Sequence, residues 1–203
     1  ALDLAAVGAA ELGAHRLALD AHVVPEDARR GLWRSEDDGP VRLDARSLHA
    51  PASTLAQAMA ARYPVGSVIS FMLPNWHEAA VVYLAATLAG MVANPILPSL
   101  REHDLCFMLQ DVESRMIFIP AEFRGHKYTD MLAHVVEQLD TPPQLVVVRG
   151  DCGSHLAYAS LFERVTPCPL PVLDPDAVRI VMYTSGTTGS PKGVMHSHNS
   201  MHA

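Results

Sequence analysis

Four short runs in this sequence are apolar at nearly every position: Val68-Ile69-Ser70-Phe71-Met72-Leu73, Met116-Ile117-Phe118-Ile119, Leu145-Val146-Val147-Val148 and Val178-Arg179-Ile180-Val181-Met182-Tyr183. A strand with one wet face alternates polar and apolar residues; a strand that does not alternate is covered on both faces. Helical stretches stand between these runs. Trp76 to Ala89 reads as a helix, with Gly90 as its C-terminal stop. A short strand, Met91 to about Asn94, follows and is stopped by Pro95. Ser99 and Glu102 have the spacing of a capping box, which predicts a helix to about Gln110. Another helix is predicted over Thr129 to Leu139, and an earlier one from Pro51, a residue suited to a first turn, to about Ala61. Strand–helix alternation with apolar strands predicts an α/β fold, a mostly parallel sheet with helices on both faces. Such sheets bind ligands in loops beyond the carboxyl ends of their strands.

The 203 residues suffice for one large domain or for one domain plus part of another. Residues 1–47 read as a helical or irregular segment. Asp3 to Ala21 is rich in Ala and Leu and is weakened as a helix by Gly8 and Gly13; Glu36-Asp37-Asp38-Gly39-Pro40 reads as a solvated turn. Residues 48–166 form the sheet unit. Residues 167–177, with four prolines between Pro167 and Pro175, read as an extended crossing. Residues 178–203 hold a strand, a loop and the start of a second sheet unit.

Composition excludes several classes. With 49% apolar and 18% charged residues, a sizeable packed core is expected. A net charge of -7 without a basic stripe argues against nucleic acid. Ala79 to Leu100 carries no charge, but Gly90, Asn94, Pro95 and Pro98 break it into a buried helix and strand, so no transmembrane segment is expected. Cys106, Cys152 and Cys168 lack the spacing of a zinc site or a disulfide framework and suit reduced thiols in the cytoplasm. His196 and His198 would share one face of a strand, yet no Cys or carboxylate stands near them, and no metal site is expected. Trp76 and Tyr83 read as core. Glu78, near a helix start, favours the helix dipole, and Asp174 and Asp176 read as turn formers. No Gly-x-Ser-x-Gly elbow of a serine hydrolase occurs.

Chemistry concentrates after the last apolar run. Thr184-Ser185-Gly186-Thr187-Thr188-Gly189-Ser190-Pro191-Lys192-Gly193 holds three glycines, five hydroxyls and one cation. Glycines let the backbone approach a ligand closely. Successive N–H groups can cradle an anion, hydroxyls donate to phosphate oxygens, and lysine adds a mobile positive charge. The Walker pattern fails, because Pro191 stands where its second glycine is needed, and Gly-x-Gly-x-x-Gly is absent. Composition alone also allows a solvent-exposed turn.

The ordered string from Tyr183 to Gly193 closely resembles the signature loop of the adenylate-forming superfamily, which includes acyl-CoA synthetases and the adenylation domains of peptide synthetases. Val194-Met195-His196-Ser197-His198-Asn199 resembles the continuation in acyl-CoA synthetases. Ser70 to Ala79, Leu88 to Pro95 and the helix beginning Arg101-Glu102-His103 resemble the medium- and long-chain branch, so that the likeness covers about Leu48 to Asn199. The resemblance implies the first subdomain of the large N-terminal domain of such enzymes plus the start of the next. It implies an acid–thiol ligase, AMP-forming, that uses ATP, Mg²⁺ and CoA to activate a carboxylic acid, fatty by branch, through an acyl-adenylate. Thr184, Ser185, Gly186, Thr187, Thr188, Gly189 and Lys192 are then the ATP contacts. In the family the adenine-reading, magnesium-holding and acyl-holding groups and the catalytic lysine lie downstream, beyond residue 203, so no catalytic residue is expected within the chain. The expectation is an N-terminal part that cannot complete adenylation alone, with an apolar surface that a second copy or a missing C-terminal part would cover. Its place would be the cytoplasm, peripheral to membrane. A non-catalytic nucleotide-binding remnant and a peptide-synthetase adenylation domain are the alternatives.

Overall fold

The structure is a computed structural model and describes residues 30–35, 39–163, 165–184 and 191–202. The helix expected over Asp3 to Ala21 and the acidic residues Glu36, Asp37 and Asp38 lie outside them. In chain order the elements are β1 (Arg30–Ser35), β2 (Gly39–Asp44), α1 (Ala45–Ala60), β3 (Val68–Phe71), α2 (His77–Leu88), β4 (Val92–Pro95), α3 (Glu102–Asp111) and β5 (Met116–Ile119). They continue with β6 (Glu122–Phe123), β7 (His126–Lys127), α4 (Tyr128–Val136), β8 (Gln144–Val147), β9 (Leu156–Ala157), a 3₁₀ turn (Tyr158–Phe162), β10 (Val178–Thr184), β11 (Lys192–Ser197) and α5 (His198–His202).

Seven strands form one sheet in the order β11-β10-β4-β3-β5-β8-β9. Every neighbour pair is parallel except β10 with β11. Alternation along β5 sends Met116 and Phe118 to one face and Ile117 and Ile119 to the other, and all four are fully buried. The first face is covered by α1 and α2, through Leu55, Met59, Val82 and Ala85. The second is covered by α3 and α4, through Leu105, Leu109, Leu132 and Val135. Each fully buried side chain of this size contributes about 1.5–3 kcal/mol over leaving it in water.

The connections explain which helix covers which face. The crossover β3–α2–β4 moves the chain one strand toward one edge; β4–α3–β5 brings it back across β3. Right-handed crossovers in opposite directions place their helices on opposite faces. The chain leaves β3 toward β4 and leaves β5 toward β8, so the order reverses between β3 and β5, the kind of point at whose carboxyl edge such sheets bind ligands.

Several elements differ from the sequence reading. The segment before residue 48 contains a hairpin, β1 with β2, paired from Arg30↔Asp44 to Ser35↔Gly39. Helix α1 begins at Ala45, not at Pro51, because the Asp44 carboxylate accepts from the Ser47 N–H at 2.7 Å and caps it there; Pro51 lies inside the helix. The Ser99–Glu102 capping box does not form. Arg101 is the cap residue, which puts Glu102 at the first helical position, where it cannot reach back to Ser99. The Arg101 guanidinium instead donates to the carbonyls of Pro98 and Leu100 at 3.0 and 2.7 Å. A small hairpin, β6 with β7, turns through Arg124 and Gly125, both at positive φ. β10, expected to open a second sheet unit, is joined here to the first unit's sheet by a parallel pairing of Ile180 with Ala93. No helix among the described residues is long and apolar enough to cross a membrane.

Two helices end alike with different residues. After α2, Gly90 N–H donates to Thr87 and Met91 N–H to Ala86, with Gly90 at φ +70. After α3, Glu113 N–H donates to Gln110 and Ser114 N–H to Leu109, with Glu113 at φ +47. A Cβ on Gly90 would stand 2.9 Å from Pro171 Cγ. Gly90→Ala is therefore expected to lower unfolding stability by about 1–2 kcal/mol, whereas Glu113→Gly raises it by about 0.5 kcal/mol, left-handed strain relieved less the added freedom of the unfolded chain. Urea unfolding of both variants measures the pair.

Candidate phosphate site at a hairpin mouth

Because β10 runs parallel to β4, it delivers its last residue to the edge of the sheet where β3, β4 and β5 also end. There the chain leaves at Thr184 and returns at Lys192, which is its partner across the β10–β11 ladder. Residues directly opposite in an antiparallel pair project to the same face. Thr184 and Lys192 are both exposed, so a hydroxyl-bearing and an ammonium-bearing side chain leave neighbouring positions on one face at the mouth of the hairpin. Of the other predicted contacts, Ser185, Gly186, Thr187, Thr188 and Gly189 lie outside the described residues.

The next pair inward is Tyr183 with Gly193. A Cβ at Gly193 would stand 3.4 Å from Tyr183 Cζ and 3.2 Å from Val181 Cγ1. This glycine keeps space for the tyrosine ring, a role beyond the loop flexibility read from the sequence. The Tyr183 hydroxyl donates to Asp111 Oδ2 at 2.5 Å, and Phe107 meets the ring edge-on at 6.3 Å. Burial first, then the bond to Asp111 and its negative charge, push the Tyr183 phenol well above its ordinary value. It stands as a neutral donor.

A second polar group ties the carboxyl ends of β3 and β8. Arg149 Nε and Nη2 donate to Glu78 Oε1 and Oε2 at 2.8 and 3.0 Å. The guanidinium lies over the Trp76 ring at 4.2 Å, and Phe123 packs edge-on against that ring. His77 Nδ1 stands 3.4 Å from Glu78 Oε2. Both ion partners are largely buried, with side chains 12% and 22% exposed for Glu78 and Arg149. Sequence reading gave Glu78 only a dipole role and passed over Arg149, because 71 residues separate them. Beside the pair, Leu48, Pro51, His77, Val81, Tyr158 and Phe162 line a groove of about 460 Å³. The Tyr158 phenol is pushed up by burial and then by the Glu78 charge.

Between the strands lies a small polar knot. Asn94 donates to Ser70 Oγ at 3.0 Å, and Ser70 shares a hydrogen bond of 2.8 Å with Ser114, all three buried. His196 and His198 do not share a strand face, since His198 begins α5 while His196 ends in β11. Among the described residues no three His, Cys, Asp or Glu side chains group as metal ligands. Asp174 accepts from the Asp176 N–H at 2.9 Å, a turn before β10, and Asn199 donates to Asp176 Oδ1 at 2.6 Å.

Comparison with known proteins bears on this geometry. The family described as AMP-binding enzyme matches residues 17–203. The medium-chain fatty-acid–CoA ligase of Escherichia coli (strain K12) is 35% identical over 154 residues, 74% of this chain and 27% of that enzyme. The 3-hydroxybenzoate–CoA/4-hydroxybenzoate–CoA ligase of Thauera aromatica is 33% identical over 140 residues, 67% of this chain and 26% of that one. The chain thus spans about a quarter of the length of these relatives. The crystal structure of the anthranilate CoA ligase AuaEII in complex with anthranoyl-AMP superposes with a TM-score of 0.70 at 18% identity, over 78% of this chain and 30% of that one, a likeness of fold.

Stranding one member of a buried ion pair is costly, whereas replacing both by apolar groups is not. Arg149→Ala is expected to lower unfolding stability by about 3 kcal/mol. The double variant Glu78→Leu/Arg149→Met is expected to recover at least half of that loss, as read by urea denaturation.

Proposed function

The chain belongs to the AMP-binding enzyme family, and from that premise we propose that it is the phosphate-gripping portion of an ATP-dependent acyl-CoA ligase. The observation that carries the reading is the Ser/Thr/Gly string closed at its root by Thr184 beside Lys192, at the carboxyl edge of a parallel sheet. In this reading Thr184, Ser185, Gly186, Thr187, Thr188, Gly189 and Lys192 hold the β- and γ-phosphates of ATP. In the same reading residues 48–166 form one unit, and residues 178–203, whose strands join its sheet at one edge here, belong to the start of the next.

The chemistry asked of these residues is electrostatic. A carboxylate oxygen of the acid bonds the α-phosphorus of ATP as the bond from that phosphorus to the bridging oxygen breaks. The electron pair leaves with pyrophosphate, whose charge grows. Donors and a cation fixed around the leaving group stabilise that growth without having to reorganise. The CoA thiol then displaces AMP at the acyl carbon and gives up its proton. Mg²⁺ enters as the counter-ion of ATP, and the described residues offer no ligand cluster for it. The proposed acid is fatty, supported by the branch-like segments Ser70 to Ala79 and Leu88 to Pro95 and by the E. coli relative. The work is assigned to the cytoplasm.

We further propose that these 203 residues grip the nucleotide without completing adenylation, a reading supported by the quarter of the relatives' length that they span. Two measurements on the chain test the whole. MgATP is expected to bind, and Lys192→Ala to weaken it about tenfold, the worth of one charge-assisted contact; equal affinity in the variant would sink the phosphate-site reading. ATP–pyrophosphate exchange is expected to stay at background, and robust exchange by a homogeneous sample would overturn the assignment of inactivity.

A further inference from the structure

The bond between Tyr183 and Asp111 takes no part in the chemistry just described, yet it stands at the root of the loop. Tyr183 directly precedes Thr184, and its cross-strand partner Gly193 directly follows Lys192. One ring therefore sits beneath both of the proposed contacts that the described residues include.

β10 meets its inner neighbour β4 at a single paired position, Ile180 with Ala93. Among the described residues, Val181 to Thr184 pair only with β11, which is the edge strand of the sheet. Where the ladder stops, helix α3 takes over: Phe107 meets the Tyr183 ring edge-on, and Asp111 accepts the hydroxyl at 2.5 Å. A hydroxyl donating to an ionised carboxylate makes the stronger kind of hydrogen bond.

Asp111 is also in an unusual place. It is the last residue of α3, which has no basic residue in its final turn. The carbonyl end of a helix carries partial negative charge and disfavours a carboxylate there. The Tyr183 hydroxyl offsets that repulsion, and it can do so only while the hairpin lies against the helix. On the other strand, the missing Cβ of Gly193 leaves the ring its room.

We infer that Tyr183 and Asp111 are positioning residues, a latch that holds the hairpin mouth on α3 so that Thr184 and Lys192 meet the phosphates in register. The inference rests on the phosphate-site reading of the loop. Its leverage is geometric, since Tyr183 and Gly193 directly adjoin Thr184 and Lys192 on the two strands.

The test uses the 203-residue chain, with MgATP affinity as one readout and amide hydrogen exchange of residues 184–193, without nucleotide, as the other. Tyr183→Phe keeps the ring and removes the donor; Asp111→Ala removes the acceptor; Asp111→Asn keeps an acceptor. Tyr183→Phe and Asp111→Ala are each expected to weaken MgATP about fivefold, the size of one hydrogen bond, and to speed exchange at 184–193 while β3 and β5 stay unchanged. Asp111→Asn is expected to stay within about twofold of the parent, and the double variant Tyr183→Phe/Asp111→Ala to be no worse than either single one, since all act through one bond. Unchanged exchange at 184–193 in both single variants overturns the latch, whether or not the parent binds ATP. Exchange raised equally through α3 and β4 overturns it as well, by showing a bond of general stability. If Lys192→Ala loses ATP affinity while Tyr183→Phe keeps it, the latch fails and the phosphate site stands. If Lys192→Ala keeps affinity, the phosphate site itself fails.

Discussion

A sheet whose inner strands offer apolar side chains on both faces has to be covered twice. In this chain that requirement sets most of the rest. Ile117 and Ile119 cannot be buried by the helices that bury Met116 and Phe118. Helices on both faces require crossovers that run in opposite directions, because the handedness of each is fixed. Opposed crossovers reverse the strand order between β3 and β5. The switch point at the carboxyl edge is thus a by-product of dry packing, set before any functional side chain is considered.

Polar groups then appear where the apolar layers end. Glu78 and Arg149 meet at the ends of β3 and β8 with their charges paired and the guanidinium laid on Trp76. The pair bridges elements that parallel pairing with β5 already brings close. Its contribution is to fix how the strand-end loops lie, since a buried pair adds little net stability over well-packed hydrocarbon. The Tyr183–Asp111 bond has the same form at the other end of the sheet: a strand terminus tied by one side chain to a helix terminus.

What the sequence made legible follows the range of the forces involved. β5 was placed to the residue, and α2 with its Gly90 stop to within one, because burial patterns and helix stops are local. The loop string was legible for the same reason, as ten consecutive residues. Competition within a few residues was harder: Ser99 lost the cap of α3 to Arg101, and Asp44 started α1 ahead of Pro51. The β6–β7 hairpin has two residues per strand, too few to show any period. Pairs such as Glu78 with Arg149 and Asp111 with Tyr183 are 71 and 72 residues apart and leave no mark in any window of sequence. The second of these pairs stands at the root of the candidate site. The chemical groups were therefore readable, and their orientation was not.

That difference matters because of the chain's charge. At -7 the protein as a whole repels a polyphosphate. At physiological salt such repulsion fades over about 8 Å, so a ligand responds to the groups it touches rather than to the sum. Local geometry then decides whether a phosphate chain is held. A lone lysine on an exposed strand is a mobile point charge with many rotamers. In the proposed site it is set across the ladder from a threonine, on a hairpin whose Tyr183 bonds a helix end. The acidic carboxylate that anchors the hairpin is itself turned away from anion repulsion by accepting the Tyr183 hydroxyl, on the face opposite to the one Thr184 and Lys192 share. Alternation along β10, which first served to bury the core, thus also keeps the Asp111 charge on the far side of the strand from the proposed phosphates.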